Sequence, residues 1–540
     1  MKIFHKVFLA VALAFCCVYS FADNTASSEI MRAMKDEMAR SLANLKKDNL
    51  AKPHFITYHV EQIIRFAFSA NQGAFYEERA SSDTGLKVSL RVGSHKEDSS
   101  FFDSYIHSVS SKQIPAAGYD AIRAGLWQET NKAFTDALAT LAKKQAYKKS
   151  KNIAEEFPDF SPAKPATYTQ DFTMPQIDKD YWRDLAKTIS AQGDLKEIDV
   201  FRATITIIFR PSYFLSSEGA MYMRDNYTIE IFIRAEAKTK NGFELRENKQ
   251  ITYADFKDVP EKEELLLKAR EFAKDFAALT QAQKAEPFIG PVMFEKTAAA
   301  ALLSDLFMRG INETKPVHTG GGEPRQGEFA QKKGLKIMPA DFDVFDKPQE
   351  QYFNGIRLLG YSPVDDEGVA TQNLQLVANG KLINLPTTRS LIKDQKTTGG
   401  QAYLSDWGGS LFAQARVKNL FFIPQNPVPA ADFKAKFMDY CAHEGLDYCY
   451  IVKGGPFGSS IWIYKMNAKT GAETPQYGAE LKDIAALRTL RDIMFASDDM
   501  AVYNNIQPGI SAIAPSIILK EAEIKPTQKI PVRAPLVPRP

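Results

Sequence analysis

Residues Gly290 to Gly310 read GPVMFEKTAAAALLSDLFMRG. The Gly-Pro pair at the start suits a turn. An Ala/Leu-rich segment comes next, in which Ala299, Leu302, Leu303, Leu306 and Phe307 recur at the three-and-four spacing of one helix face. Gly310 stands where a helix stop is expected. The stretch divides the chain: the N-terminal side reads as an α/β unit, and the C-terminal side reads mainly as short strands and turns. The fold class expected is therefore α+β, with a sheet covered by long helices followed by a β-rich domain.

Working toward the N-terminus, Asp258 and Pro260 open a helix through Leu279, with Leu265, Ala269, Phe272 and Phe276 inward. Tyr227 to Ala237 alternates, with Ile229, Ile231, Ile233 and Ala235 on one face of a strand. Asn241-Gly242 marks a hairpin whose two central residues accept positive φ. Phe201 to Arg210 reads as a strand, Tyr181 to Gln192 and Tyr119 to Lys149 as helices. Phe55 to Ser69, Ala74 to Glu78 and Leu86 to Val92 read as strands, the last two separated by a polar turn at 81–85. Residues 27–49 form a first helix with Met31, Met34, Met38, Leu42 and Leu45 along one side.

Before that helix, Lys2 and Lys6 precede an almost wholly apolar run from Val7 to Ser20, and Ser20-Phe21-Ala22 offers a cleavage site. This is the pattern of a signal peptide, 1–22, too short in its apolar part for a membrane span. Export to the periplasm or medium with cleavage near Ala22 is the expectation. Lipidation at Cys16 or Cys17 is the rival, and the bulky Phe15 stands against it. No second segment approaches spanning length.

Toward the C-terminus, Asn379-Gly380 punctuates a hairpin between 374–377 and 382–385, and glycine-rich loops fall at 319–327, 398–400 and 407–409. Val417 to Ile423 reads as a strand, Ala431 to Glu444 as a helix closed by Gly445, and Tyr448 to Val452 as a strand. Residues 459–466, 484–487 and 516–519 look extended. From Lys525 the tail carries five prolines and is expected to be disordered or polyproline-like, with a formal PxxP at Pro535 to Pro538. The resulting division is 1–22, 23–288, 289–523 and a Pro-rich tail at 524–540.

Composition excludes some functions. Hydrophobic residues at 44% with 25% charged describe a folded chain, and 68 basic against 65 acidic residues leave no basic excess for nucleic acid or an anionic membrane. Only Cys441 and Cys449 remain after the signal, free to pair in an oxidising compartment. With His443 they form a weak alternative metal set, against which Glu444-Gly445 reads as a plain helix terminus. Asp365, Asp366 and Glu367 offer a cation site or an acid/base pair, but ahead of Gly368 they read as a solvated β-turn. The glycines at 320–322 and 454–458 do not precede a helix in a phosphate-loop pattern. His59 on a strand reads as packed or exposed, and no Gly-x-Ser-x-Gly elbow occurs.

Several motifs in order carry a resemblance: Gly290 to Glu295 with Ala298 to Leu303, Val364-Asp365-Asp366-Glu367-Gly368-Val369, Leu376 to Leu382, Leu385 to Arg389, Thr398-Gly399-Gly400, and Ala514 to Lys520. Over roughly Gly290 to Glu523 the chain resembles the TldD/PmbA (TldD/TldE) metallopeptidase family. That resemblance implies an N-terminal α/β domain, a β-rich C-terminal domain and paired subunits. One subunit is a zinc peptidase acting on peptides or unfolded segments, and the other, PmbA/TldE-like, has the same fold without the metal site. The peptidase type carries His-Glu-x-x-x-His on the helix after the Gly-Pro-Val element. Here those positions fall on Ser304, Asp305 and Arg309, or within a residue or so, and no histidine lies between His107 and His318. Arginine cannot act as a ligand, and Asp305 and Arg309 stand four apart in ion-pair order.

The expected reading is thus a non-catalytic subunit without catalytic residues or metal of its own, zinc being confined to a TldD-like peptidase paralogue. A homodimer is the alternative assembly. The rival functions are a metallopeptidase with an unrecognised metal site, or a periplasmic peptide-binding protein.

Overall fold

The computed structural model describes residues 24–527 apart from 48–49, 103–108, 115–117, 155–156, 171–173, 175, 312–326, 330, 393–394, 396, 405–412, 455–461, 483 and 507–508, and of residues 24–28 and 109 the backbone alone. The expected signal segment, most of the glycine-rich loop at 319–327, residues 407–409 and the PxxP motif lie outside the described residues.

The N-terminal unit is organised by two long paired strands, β1 (Pro53–Asn71) and β2 (Ala74–Val92). Around them stand β3 (Val109–Ile114), β4 (Thr167–Thr169), β5 (Val200–Phe209), β6 (Ser212–Ser216), β7 (Met221–Arg224), β8 (Tyr227–Lys238) and β9 (Glu244–Tyr253). One edge of β1 pairs with β2. The other is shared, Thr57–Glu61 with β6 and Ile64–Asn71 with β5. The sheet runs β4-β7-β6-β1-β5-β8-β9, with β2 and β3 on the free side of β1. The polar stretch 81–85 is not a turn, because β1 continues opposite it and pairs through Arg65↔Ser81 to Glu61↔Gly85.

Helices α1 (Asn24–Asn44), α2 (Tyr119–Lys151), α3 (Lys179–Ala191) and α4 (Lys262–Thr280) share one core with this sheet. Asp178 caps α3, its carboxylate accepting from the N–H groups of Asp180 and Tyr181. Met31, Met34 and Met38 are buried as their spacing predicts, whereas Leu42 is 53% exposed. In β8 the isoleucines and Ala235 face the core, as the alternation predicts. Of the turn after it, only Gly242 has positive φ, so the connection is a longer loop closed by the Phe243 N–H on Thr239 Oγ1.

The C-terminal unit continues with β10 (Gln283–Lys284), β11 (Phe288–Phe294), α5 (Lys296–Ile311), β12 (Phe342–Asp346), β13 (Tyr352–Phe353), β14 (Ile356–Arg357), β15 (Leu374–Ala378), β16 (Lys381–Leu382), β17 (Ala402–Tyr403) and β18 (Gln414–Ala415). It then adds β19 (Asn419–Pro424), α6 (Ala430–His443), β20 (Tyr448–Gly454), β21 (Trp462–Asn467), β22 (Glu473–Tyr477), β23 (Ala479–Lys482), α7 (Ala486–Arg491), β24 (Ile493–Ala496), β25 (Ala501–Asn505), β26 (Ile510–Ala514) and β27 (Ile517–Pro526). An eight-stranded sheet runs β10-β22-β21-β20-β11-β27-β23 with β24 on β27, and a six-stranded sheet runs β16-β15-β12-β19-β26-β25.

Strand alternation explains the layering. In β11, Val292 and Phe294 face the core that contains α5, while Met293 faces α6; β20 and β27 divide in the same way. In the other sheet Phe342, Val344, Leu420 and Phe422 turn to α5 as well. The helix is covered on nearly all sides, with Ala298 to Ser304 continuously buried.

Four expectations are corrected here. Gly290-Pro291 is no turn: it lies within β11 at a register shift against β27, where a proline without an N–H is tolerated. Gly310 does not stop the helix but lies inside α5, where an added Cβ would come within 2.4 Å of the Phe329 ring. Residues 486–487 begin α7 instead of extending a strand. Lys525 and Pro526, placed in the tail, belong to β27 and pair with β23. The Asn379-Gly380 turn forms as expected, with φ of +47° and +73°.

Candidate functional site

Helix α5 follows β11 directly, so its first turn is fixed where the two units meet. Of the positions aligned with a zinc motif, Ser304 is buried, 2% exposed. One turn further, Arg309 Nη2 donates to Asp305 Oδ2 at 2.5 Å on the exposed side, the pair that the spacing predicts. The Tyr503 phenol is pushed up by burial and then by the nearby charge of Asp305. A neutral hydroxyl, an engaged carboxylate and a guanidinium do not fit a zinc ion.

Cys441 and Cys449 join α6 to β20 through a disulfide, with Sγ–Sγ 2.08 Å and Cα–Cα 6.4 Å. His443 points away into solvent, its side chain 85% exposed and 3.8 Å from Glu444. The three side chains do not converge. Among the described residues no group of three or more His, Cys, Asp or Glu side chains is placed to hold a metal.

The acidic turn holds the largest departure from the sequence reading. Asp365, Asp366 and Glu367 are not solvated but buried. Asp365 builds the turn: Oδ1 accepts the N–H groups of Glu367 and Val369 at 3.0 and 2.9 Å, and Oδ2 accepts that of Ala402 at 3.0 Å. Gly368, at φ +76°, presses on the N-terminal sheet, where a Cβ would lie 2.4 Å from that of Ala220. Asp366 accepts from Arg224, from the Tyr222 hydroxyl at 3.3 Å and from the Leu404 N–H at 2.7 Å. Glu367 accepts the Arg389 N–H at 2.7 Å. The Arg389 guanidinium forks onto Glu218 at 2.6 and 3.1 Å, reaches the Ser161 carbonyl at 3.0 Å, and stacks on Phe55 and Phe160. The turn thus crosses the boundary between units.

Burial, then the Glu367 charge, pushes Asp365 up to about 7. Burial would also raise Asp366, but Arg224 and then Lys418 outweigh it and hold that carboxyl well below the usual range. His59 donates or accepts at Ser212 Oγ (2.8 Å) and is pushed down to about 3 by burial and then by Lys87. It is packed and neutral.

Two cavities flank this boundary. A cleft of about 860 Å³ is lined by β9, by Lys268 and Phe272 of α4, Thr297 of α5, and Trp462, Tyr464 and Tyr503. Since β9 ends its sheet, the cleft runs along a sheet edge. A smaller cavity of about 120 Å³ lies at the acidic turn, between His59, Ser212 and Arg224 on one side and Asp366, Tyr403 and Lys418 on the other.

Residues 289–433 match the family model described as the PmbA/TldA metallopeptidase C-terminal domain. Over these residues the chain is similar to the TldD/PmbA family. The match contains α5 and the acidic turn, two of the motifs that carry the resemblance, and ends before the one at Ala514 to Lys520. The fold agrees with solved structures across both units. A candidate modulator of a DNA gyrase from Thermotoga maritima is similar at TM-score 0.60 and 14% identity, covering 91% of this chain and 100% of that one. TldE from Thermococcus kodakarensis gives 0.59 and 12%, covering 91% and 99%. A candidate modulator of DNA gyrase from Bacteroides thetaiotaomicron gives 0.59 and 12%, covering 94% and 100%. At these identities the likeness is one of fold. No curated protein matches the chain.

Sequence reasoning found the acidic turn but gave it to solvent, and it missed Arg224, Tyr222, Lys418 and Arg389. The available signal was that three consecutive acids beside a glycine require cationic partners if the turn is covered. Nothing local in the sequence says that it is.

Proposed function

We propose that the chain is a non-catalytic, PmbA/TldE-like subunit of the TldD/PmbA family. It pairs with a zinc-bearing relative and helps that partner take up peptides or unfolded segments. The observation that carries this reading is α5, where Ser304, Asp305 and Arg309 stand at the positions of a metal motif, one buried and two joined in an ion pair. The apolar N-terminal run supports export, which places the pairing in the periplasm or the medium. A homodimer is the alternative assembly.

The test is elemental analysis of the chain expressed with its signal segment and purified alone without chelator. Zinc far below one per chain, with stable co-purification of a zinc-containing relative on co-expression, is the expected result. Stoichiometric zinc that survives dialysis, with chelator-sensitive peptidase activity of the lone chain, overturns it.

The 860 Å³ cleft along β9 favours a second reading, a free-standing peptide-binding protein. An edge strand beside aromatic side chains suits an extended peptide adding to the sheet. Peptide binding without cleavage by the lone chain, and no partner on co-expression, would favour it.

A further inference from the structure

The smaller cavity is lined by a cation, Lys418, that no group among the described residues neutralises at contact distance. Lys418 is 6% exposed and lines the cavity, and its own N–H is tied to Asp346 Oδ1 at 2.9 Å, which fixes the backbone from which the side chain projects. Among the described residues its Nζ has no hydrogen bond or ion pair, only the Tyr403 ring at 5.4 Å. Asp366, Asp365 and Asp346 act on it from beyond ion-pair reach, and Arg224 opposes them; burial, the largest influence, pushes the amine down. Across the cavity, Arg224 spends its two terminal nitrogens on Asp366, Ser362 and Val364 and leaves Nε buried without a partner among the described residues. Two donors from opposite units, Arg224 Nε and the Nζ of the nearly buried Lys418, are therefore incomplete at one small space.

Asp366, the acid that acts most strongly on Lys418, is already paired to Arg224, so the ammonium is only partly compensated and an anionic ligand would offset part of its desolvation cost. Water can fill hydrogen bonds but brings no charge. The space of about 120 Å³ exceeds what one water needs and matches a group of a few heavy atoms.

We propose that this cavity binds a small oxyanion, a carboxylate or inorganic phosphate, held by Lys418 Nζ with Arg224 Nε as second donor, so that the ligand bridges the two units. Asp366 remains paired to Arg224 and orients it. The proposal does not depend on whether the chain is a subunit or acts alone.

The test uses the full mature chain with inorganic phosphate and, separately, acetate, in otherwise anion-poor buffer. At least one of them should raise the melting temperature and give saturable heat of binding; which one does so separates phosphate from carboxylate ligands. Lys418→Met should weaken that binding by about tenfold or more, and Lys418→Arg should keep it within a few-fold. Equal binding by wild type and Lys418→Met, or no response to either anion, overturns the proposal. Should Lys418→Met fail to fold, acylation of wild-type lysines with acetic anhydride, read peptide by peptide, decides the matter. Protection of Lys418 by the anion, with Lys87 unaffected, supports the site, and unchanged labelling of Lys418 overturns it.

Discussion

Arg224 and Asp366 form a charge pair with both members nearly out of water, 15% and 6% exposed at the side chain. Removing one member leaves the other charged and buried, a loss of about 3–5 kcal/mol. Arg224→Met should lower unfolding free energy by that amount in a denaturant titration, and adding Asp366→Asn should recover part of it. A purely surface-type pair would show less than about 1 kcal/mol in both experiments. Asp346 makes a different case. Its Oδ1 accepts two backbone N–H groups at 2.9 Å, its Oδ2 has no partner among the described residues, and burial pushes the carboxyl up to about 7. In the folded state this acid keeps its proton at pH values where the unfolded chain has released it. Its contribution is therefore fully present below about pH 4 and is lost as pH rises toward about 7. Asp346→Asn mimics the protonated acid, so its stability should fall less steeply than that of wild type across this window. Parallel profiles would exclude an ionisable role for Asp346.

At the scale of elements, two changes oppose a local preference to a tertiary contact. Gly310→Ala gains helix propensity of about 1 kcal/mol, yet its methyl group would meet the Phe329 ring at 2.4 Å. Overpacking costs about 1–3 kcal/mol, so we expect net destabilisation, visible as a lower melting temperature. Replacing both Cys441 and Cys449 by serine opens a link between residues eight apart in sequence. Loop entropy for so short a ring predicts a loss of about 2–3 kcal/mol, matched by reduction of the wild type with dithiothreitol. These elements also show what periodicity conveys. The β8 alternation was legible because it buries one face against a continuous partner, and the α5 stripe because its large apolar residues recur at helical spacing, although the helix is covered on nearly all sides. The stretch 81–85 was not, since its composition says turn, and it is held straight by pairing with β1 along its length and with β3 at Thr84 and Gly85. Gly290-Pro291 misled for a related reason: a register shift between two strands is a property of the pair.

For the whole molecule, the boundary between units is polar and specific, and the acidic turn shows why the sequence could not reveal it. Asp365 to Glu367 are matched by Arg224, from the N-terminal sheet, and by Arg389, which binds Glu218 in turn. Their separations in the chain run from about twenty to about 170 residues, beyond any local pattern. Glu218→Ala would leave the buried Arg389 without its fork while touching neither core. It should therefore raise susceptibility to limited proteolysis between the units before it changes the secondary-structure signal of either. Simultaneous loss of both would mean that the units fold as one.

β27 lies between β11 on one side and β23 and β24 on the other. Its partners begin at Phe288, more than two hundred residues earlier in the chain. During synthesis the N-terminal unit has all its strands well before residues 517–526 emerge, whereas the eight-stranded sheet must wait with a gap beside its proline-bearing strand. The two halves thus acquire structure at different moments. A nascent chain halted near residue 510 would carry a finished first half and an open, adhesive second half, the state in which a chaperone would meet it.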